Sequence, residues 1–235
     1  MTGSGGALVR TLLDTGAGRA GLLRRLAELP PGSQFEGTAA GGGELWFVIA
    51  GTGRLQTSSG QVPVQPDTGL WFPPGVRYQL SAGGPGALRL DSVSLPAGVP
   101  DRDGSRARAQ AGAPQPRLSE LRDRPVEITG DRRFRVLFGP GNGCDAATQF
   151  VGEIPPGRAP AHSHPYDEVV LVLAGEGVLH AGSGDRPLRP GSCVHLPPGE
   201  LHCLENTGQA TLRVLGVFHP GGSPAAKQGQ PSPSG

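Results

Sequence analysis

The feature that most constrains this chain is an internal duplication. The segment 44-ELWFVIAGTGRL-55 returns as 168-EVVLVLAGEGVL-179, with Glu44, Gly51 and Gly53 falling on Glu168, Gly175 and Gly177 at a constant shift of 124. At the same shift 72-FPPG-75 falls on 196-LPPG-199. A third landmark, 29-LPPG-32, has its counterpart in 154-IPPG-157, with one extra residue between Gly32 and Glu44. One such coincidence arises by chance; three in order mark a tandem repeat, and a repeat dictates the fold of both copies together.

Within each copy an apolar run leads to a Gly-x-Gly turn, a polar hairpin, a second apolar run, a Pro-Pro-Gly corner and a third apolar run. Short strands with turn signals every ten or so residues argue for an all-β sandwich or barrel. The 40 glycines and 25 prolines fit the turns, because 45-LWFVIA-50, 169-VVLVLA-174 and 212-LRVLGVF-218 recur between them. The best helical candidates are 19-RAGLLRRLAEL-29 and 117-RLSELRD-123, and the first overlaps the strand expected before the LPPG turn. The expected organisation is a first barrel over 1–98, a linker over 99–116, a second barrel over 117–220 and a disordered tail over 221–235.

Charge and composition exclude several classes. Net charge is +1, and the nearest thing to a basic run, Arg132, Arg133 and Arg135, is interrupted and balanced by Asp131, so nucleic acid is not an expected partner. No apolar run is long enough to span a bilayer, so no membrane partner is expected. The N-terminus lacks a basic-then-apolar leader pattern, which gives a cytoplasmic location by default. Three cysteines, Cys144, Cys193 and Cys203, are too few and odd in number for a disulfide framework, so reduced thiols are expected.

The two copies differ in chemistry. All six histidines lie in the second. His162 and His164 are one residue apart, and on an extended segment that spacing puts both imidazoles on one face. With Glu168 they form three metal donors in search of a fourth, and His202 follows the 196-LPPG-199 corner. In the first copy Thr38, Ala40 and Tyr78 stand where the second has His162, His164 and His202, and of the donors only Glu44 survives. That copy is therefore expected to hold no metal.

The second copy resembles the cupin superfamily. Gly157, His162, His164, Glu168 and Gly175 follow its first motif, with four residues rather than five between Gly157 and His162. Gly191, Pro197, Gly199, His202 and Asn206 follow its second without a gap. The resemblance implies two tandem jelly-roll barrels in one chain, a bicupin. It also implies that His162, His164, Glu168 and His202 hold one divalent transition metal, iron or manganese first and zinc, nickel or cobalt otherwise. The implied activity is that of a metal-dependent dioxygenase-type oxidoreductase on a small oxygenated metabolite. The alternatives are a cupin isomerase, cyclase or lyase using the metal as Lewis acid, and a non-catalytic small-molecule-binding bicupin. His195 and Tyr166 are candidates for further catalytic roles, and a monomer or homodimer is expected.

Overall fold

The computed structural model describes residues 6–16, 21–58, 60–98 and 114–224. Most of the expected linker and the tail from residue 225 lie outside the described residues. The chain divides into two compact units, Met1–Asp123 and Arg124–Gly235. Both are all-β; the helical content among the described residues is one 3-10 turn, Leu121–Asp123. No helix among the described residues is long and apolar enough to cross a membrane.

The first unit contains β1 (Leu8–Asp14), β2 (Leu23–Leu29), β3 (Gln34–Thr38), β4 (Glu44–Ala50) and β5 (Gly53–Thr57). It continues with β6 (Gly60–Val64), β7 (Thr68–Phe72), β8 (Arg77–Ala82), β9 (Leu88–Ser94) and β10 (Arg117–Glu120). They form a six-stranded sheet, β1-β2-β9-β4-β7-β10, and a four-stranded sheet, β3-β8-β5-β6. Trp46, Val48, Leu70, Phe72, Leu80 and Leu90 meet in its core. The helical candidate over 19–29 is a strand from Leu23 onward, because β9 offers β2 an unbroken antiparallel ladder from Leu23↔Ser94 to Leu29↔Leu88. Alternation then sends Ala27 and Leu29 into the core. On the opposite face Arg24 and Asp91, both fully buried, form a two-pronged ion pair with contacts of 2.8 and 3.0 Å.

Residues 117–120, expected at the start of the second barrel, instead form β10 and pair antiparallel with β7 of the first unit, Arg117↔Trp71 to Glu120↔Thr68. The pairing is pinned by side chains, since Thr68 Oγ1 donates to Glu120 Oε1 at 3.0 Å.

The second unit contains β11 (Glu127–Thr129), β12 (Arg132–Phe138), β13 (Thr148–Ile154), β14 (Gly157–Arg158) and β15 (Asp167–Ala174). The rest are β16 (Gly177–Ala181), β17 (Arg186–Leu188), β18 (Cys193–Leu196), β19 (His202–Asn206) and β20 (Leu212–His219). The sheets run β11-β12-β13-β20-β15-β18 and β14-β19-β16-β17, so the core of the topology repeats that of the first unit. Fine structure repeats with it. The ladder slips between Val48 and Ala50 in one copy and between Val172 and Ala174 in the other. Gly191, a motif glycine, has a φ of 88°, and its counterpart in the first copy is Asp67 at 69°. The backbone conformation persists where the glycine does not.

The end of the second barrel extends past the expected boundary at 220. Thr148 Oγ1 donates to the Gly222 carbonyl at 2.7 Å, and the Tyr166 hydroxyl donates to the Ser223 carbonyl at 3.0 Å. Residues 221–224 are thus held against β13 and the loop before β15.

Candidate metal centre

The four residues singled out by spacing come together inside the second barrel. His162 lies just outside the named strands, directly opposite the first residue of β19, and its N–H and carbonyl exchange two 2.9 Å hydrogen bonds with those of His202. His164 is fixed from the other side, its carbonyl accepting from the Gly199 N–H at 2.7 Å. The Pro-Pro-Gly corner therefore clamps the ligand loop as well as turning the chain. Glu168 enters from β15, between Leu196 of β18 and Phe218 of β20.

One donor nitrogen from each of His162, His164 and His202 lies within 4.8 Å of the other two. Glu168 Oε2 is 3.3 Å from His164 Nε2 and 3.6 Å from His202 Nε2. Two imidazoles are held in a useful orientation by backbone: His202 Nδ1 lies 2.8 Å from the Glu200 carbonyl and His162 Nδ1 lies 3.2 Å from that of Pro160. With Nδ1 donating to these carbonyls, Nε2 is left bare for a cation. His164 Nδ1 is buried with no hydrogen-bond partner among the described residues, so a polar group of the centre lacks its counterpart. Burial, reinforced by the neighbouring His202, lowers the His162 pKa from its usual value to about 4, which keeps this imidazole neutral at ordinary pH.

The donor set suits a divalent transition metal. Nitrogens bound to one ion at about 2.1 Å stand at most about 4.2 Å apart, so this set needs only a contraction on the order of an ångström. The centre lines a cavity of about 70 Å³. Its walls are mostly apolar, including Phe134, Phe150, Leu204 and Phe218, and the polar side chains besides the four donors are Thr129, Arg132 and Arg133.

Comparison with known proteins agrees with this geometry in both halves. Residues 150–218 match the cupin domain, and residues 22–136 match the AraC-like ligand binding domain. The chain belongs to the cupin superfamily. Among curated relatives of this bicupin, an oxalate-binding protein of Thermotoga maritima is 37% identical over 68 residues, covering 28% of this chain and 56% of that protein. Auxin-binding protein 1 of Arabidopsis thaliana is 34% identical over 73 residues, covering 27% of this chain and 37% of that protein. The bicupin thus spans about half or less of these relatives. Bacillus subtilis oxalate decarboxylase, studied for its Mn(II) centres, superposes with a TM-score of 0.72 at 15% identity, covering 94% of this chain and 75% of that one. A cupin 2 conserved barrel domain protein from Leptotrichia buccalis gives a TM-score of 0.61 at 14% identity, covering 93% and 92%. At these identities the structures attest the fold alone.

The two candidates for further catalysis are placed beside the cupin cavity, not on its wall. His195 points away from it, its Nε2 2.7 Å from Asp167 Oδ1, while the adjacent Glu168 faces inward. Tyr166 is buried behind His164, stacked on its ring at 5.1 Å with an interplanar angle of 14°. The motif residue Asn206 braces the scaffold: its Nδ2 donates at 2.8 Å to the Ile154 and Ala210 carbonyls. Sequence reasoning missed Arg132 and Thr129 as cavity residues. A signal existed, since Arg132 alternates with Phe134 on a strand, but which face was inward could not be fixed from one strand.

Proposed function

We propose that this bicupin holds one divalent metal ion through His162, His164, Glu168 and His202 and acts on a small oxygenated metabolite as a dioxygenase-type oxidoreductase. The observation that carries it is the convergence of the three histidines and Glu168 on a small, mostly apolar cavity. When bound, an ion such as iron or manganese supplies Lewis acidity and access to O₂ chemistry. Manganese gains support from the Mn(II) centres of the similarly folded oxalate decarboxylase.

The protein's own groups do the positioning. The backbone-anchored imidazoles fix the donor geometry, and Phe134, Phe150 and Phe218 exclude bulk water. Besides the four donors, no residue lining the cavity among those described is a carboxylate, imidazole, amine, thiol or phenol. An isomerase, cyclase or lyase needs such a group to move protons, so this wall favours oxidation by O₂ over those reactions. The name of the oxalate-binding relative supports a small chelating carboxylate as substrate.

The same wall supports a second reading, a metal-dependent binding module without turnover, and two relatives carry binding in their names. The three cysteines are thiols, which supports a reducing compartment such as the cytoplasm. A duplicated chain is compatible with a monomer or a homodimer.

The deciding experiment is metal content by mass spectrometry on untagged protein, with His162→Ala/His164→Ala as control, followed by O₂ uptake with a panel of small carboxylates. About one ion per chain, lost in the double variant, with substrate-dependent O₂ uptake is the expected result. Metal and tight carboxylate binding without any uptake would favour the binding module. No metal on reconstitution would end both readings.

A further inference from the structure

Two arginines that the metal centre does not explain line the cavity, Arg133 exposed and Arg132 half-buried. Arg132 opens β12, opposite Thr129 of β11, and shares the inward face with Phe134 two residues on. Phe134 packs with Phe150, Tyr166 and Phe218, so Arg132 lies at the margin of an aromatic cluster. Among the described residues it makes no ion pair with a carboxylate, whereas Arg135 on the same strand pairs with Glu153 at 3.4 Å. A half-buried guanidinium beside an apolar wall and a cation-binding centre is placed to gain from an anionic partner.

We infer that Arg132 selects the substrate of this site by receiving one carboxylate of a small dianion whose other end meets the metal centre. The inference rests on the metal-site reading above and adds to it the charge of the substrate and the residue that reads that charge. Imidazoles bind a metal as neutral ligands, so a divalent ion and the Glu168 carboxylate leave one positive charge; Arg132 adds a second, while the neighbouring Arg133 is exposed and screened by solvent. A dicarboxylate dianion cancels both. Arginine suits the task because its planar fork donates to both carboxylate oxygens at once. A cavity of about 70 Å³ holds roughly five waters, which favours a small acid of about two to four carbons.

The test uses metal-reconstituted full-length protein and calorimetric titration with oxalate, malonate and the neutral isostere oxamide. Arg132→Gln and Arg132→Lys are compared with the parent. Arg186→Gln, on the exposed β17 hairpin, controls for net charge. The expected result is a parent that prefers the dianions to oxamide and an Arg132→Gln protein in which that preference falls at least tenfold. Metal content and thermal midpoint should be unchanged, and the lysine variant should recover part of the loss. Arg186→Gln should match the parent.

An Arg132→Gln protein that keeps its metal and binds the dianions as the parent does overturns the proposal while leaving the metal centre standing. So does a metal-loaded parent that does not prefer the dianions, or an equal loss in Arg186→Gln. A parent that takes up no metal overturns the underlying reading and this proposal with it.

Discussion

The Tyr78 hydroxyl donates a 2.6 Å hydrogen bond to Glu44 Oε2, joining the two first-copy residues that correspond to His202 and Glu168. Trp46 Nε1 donates to the same oxygen at 3.0 Å. The ring of Tyr78 stacks on Phe72 at 4.1 Å, and a side chain at Gly37 would collide with it. Where the second barrel has donors around a cavity, the first has an aromatic plug whose phenol and indole both donate to its one remaining carboxylate. Burial, then the Glu44 charge, raise the Tyr78 pKa far above the usual phenol range, so it stays a donor.

Tyr78→Phe should therefore destabilise the first unit. It removes a hydrogen bond to a buried charged group, a loss of about 1.5–3 kcal/mol. Denaturant melts followed by tryptophan fluorescence report it directly, because Trp46 shares the carboxylate. Metal content should not change. An unaltered midpoint would mean that water or a neighbouring donor takes over the Glu44 oxygen.

Metal should stabilise the second unit by mass action. At a free concentration one hundred times Kd the gain is about 2.7 kcal/mol, and a chelator should reverse it. His162→Ala/His164→Ala should abolish the response. Acid has a separate effect on the metal-free protein. The His162 pKa is lowered from 6.5 to about 4 in the fold, so the unfolded chain binds the proton more tightly. That contribution is complete above pH 6.5 and is lost as pH falls towards 4. Acidification across this window should lower the thermal midpoint of the metal-free parent more than that of metal-free His162→Gln; parallel curves would argue against it.

His180 should titrate in the opposite sense. It is held between Glu205 and Asp185, with contacts of 2.7 Å from Nε2 and Nδ1, and these hydrogen bonds raise its pKa. A raised value stabilises the fold below the unfolded pKa of about 6.5, and the contribution is lost as pH rises through the folded value. Proton NMR of the ring should place His180 above that reference, and Glu205→Gln should bring it down. A His180 resonance that titrates at or below the reference in the parent would contradict the two contacts.

Much of this was legible in the sequence because spacing encodes it. His162, His164, Glu168 and His202 met as their intervals required, and the repeat foretold two related topologies. What spacing does not encode is which strand a segment chooses. Residues 23–29 have a helical look but a sheet partner in β9, and 117–120 belong to an edge beyond the interval that seemed to bound the first barrel. Arg132 was hidden for a related reason: in a period-two pattern the inward face is set by the neighbouring strands. Glu44 was legible as a surviving carboxylate, but its pairing with Tyr78 depends on ring packing around Gly37.

The segment after β20 offers the last prediction, one that acts on the metal centre without touching a ligand. A side chain at Gly222 would run into the Tyr166 ring, the ring stacked on His164. The backbone there cannot easily retreat, since Gly222 exchanges two hydrogen bonds with Thr148 Oγ1, at 2.7 and 3.1 Å. Gly222→Ala should therefore push Tyr166 and tilt His164 while leaving all four donors in the sequence. Changes behind a metal-ligating histidine weaken affinity by about 10- to 100-fold. Competition with a chromophoric chelator measures that loss. Gly221→Ala, whose side chain would meet Pro140, is the matched comparison and should leave affinity near the parent's. Equal behaviour of the two variants would show that Tyr166 does not transmit the displacement to His164.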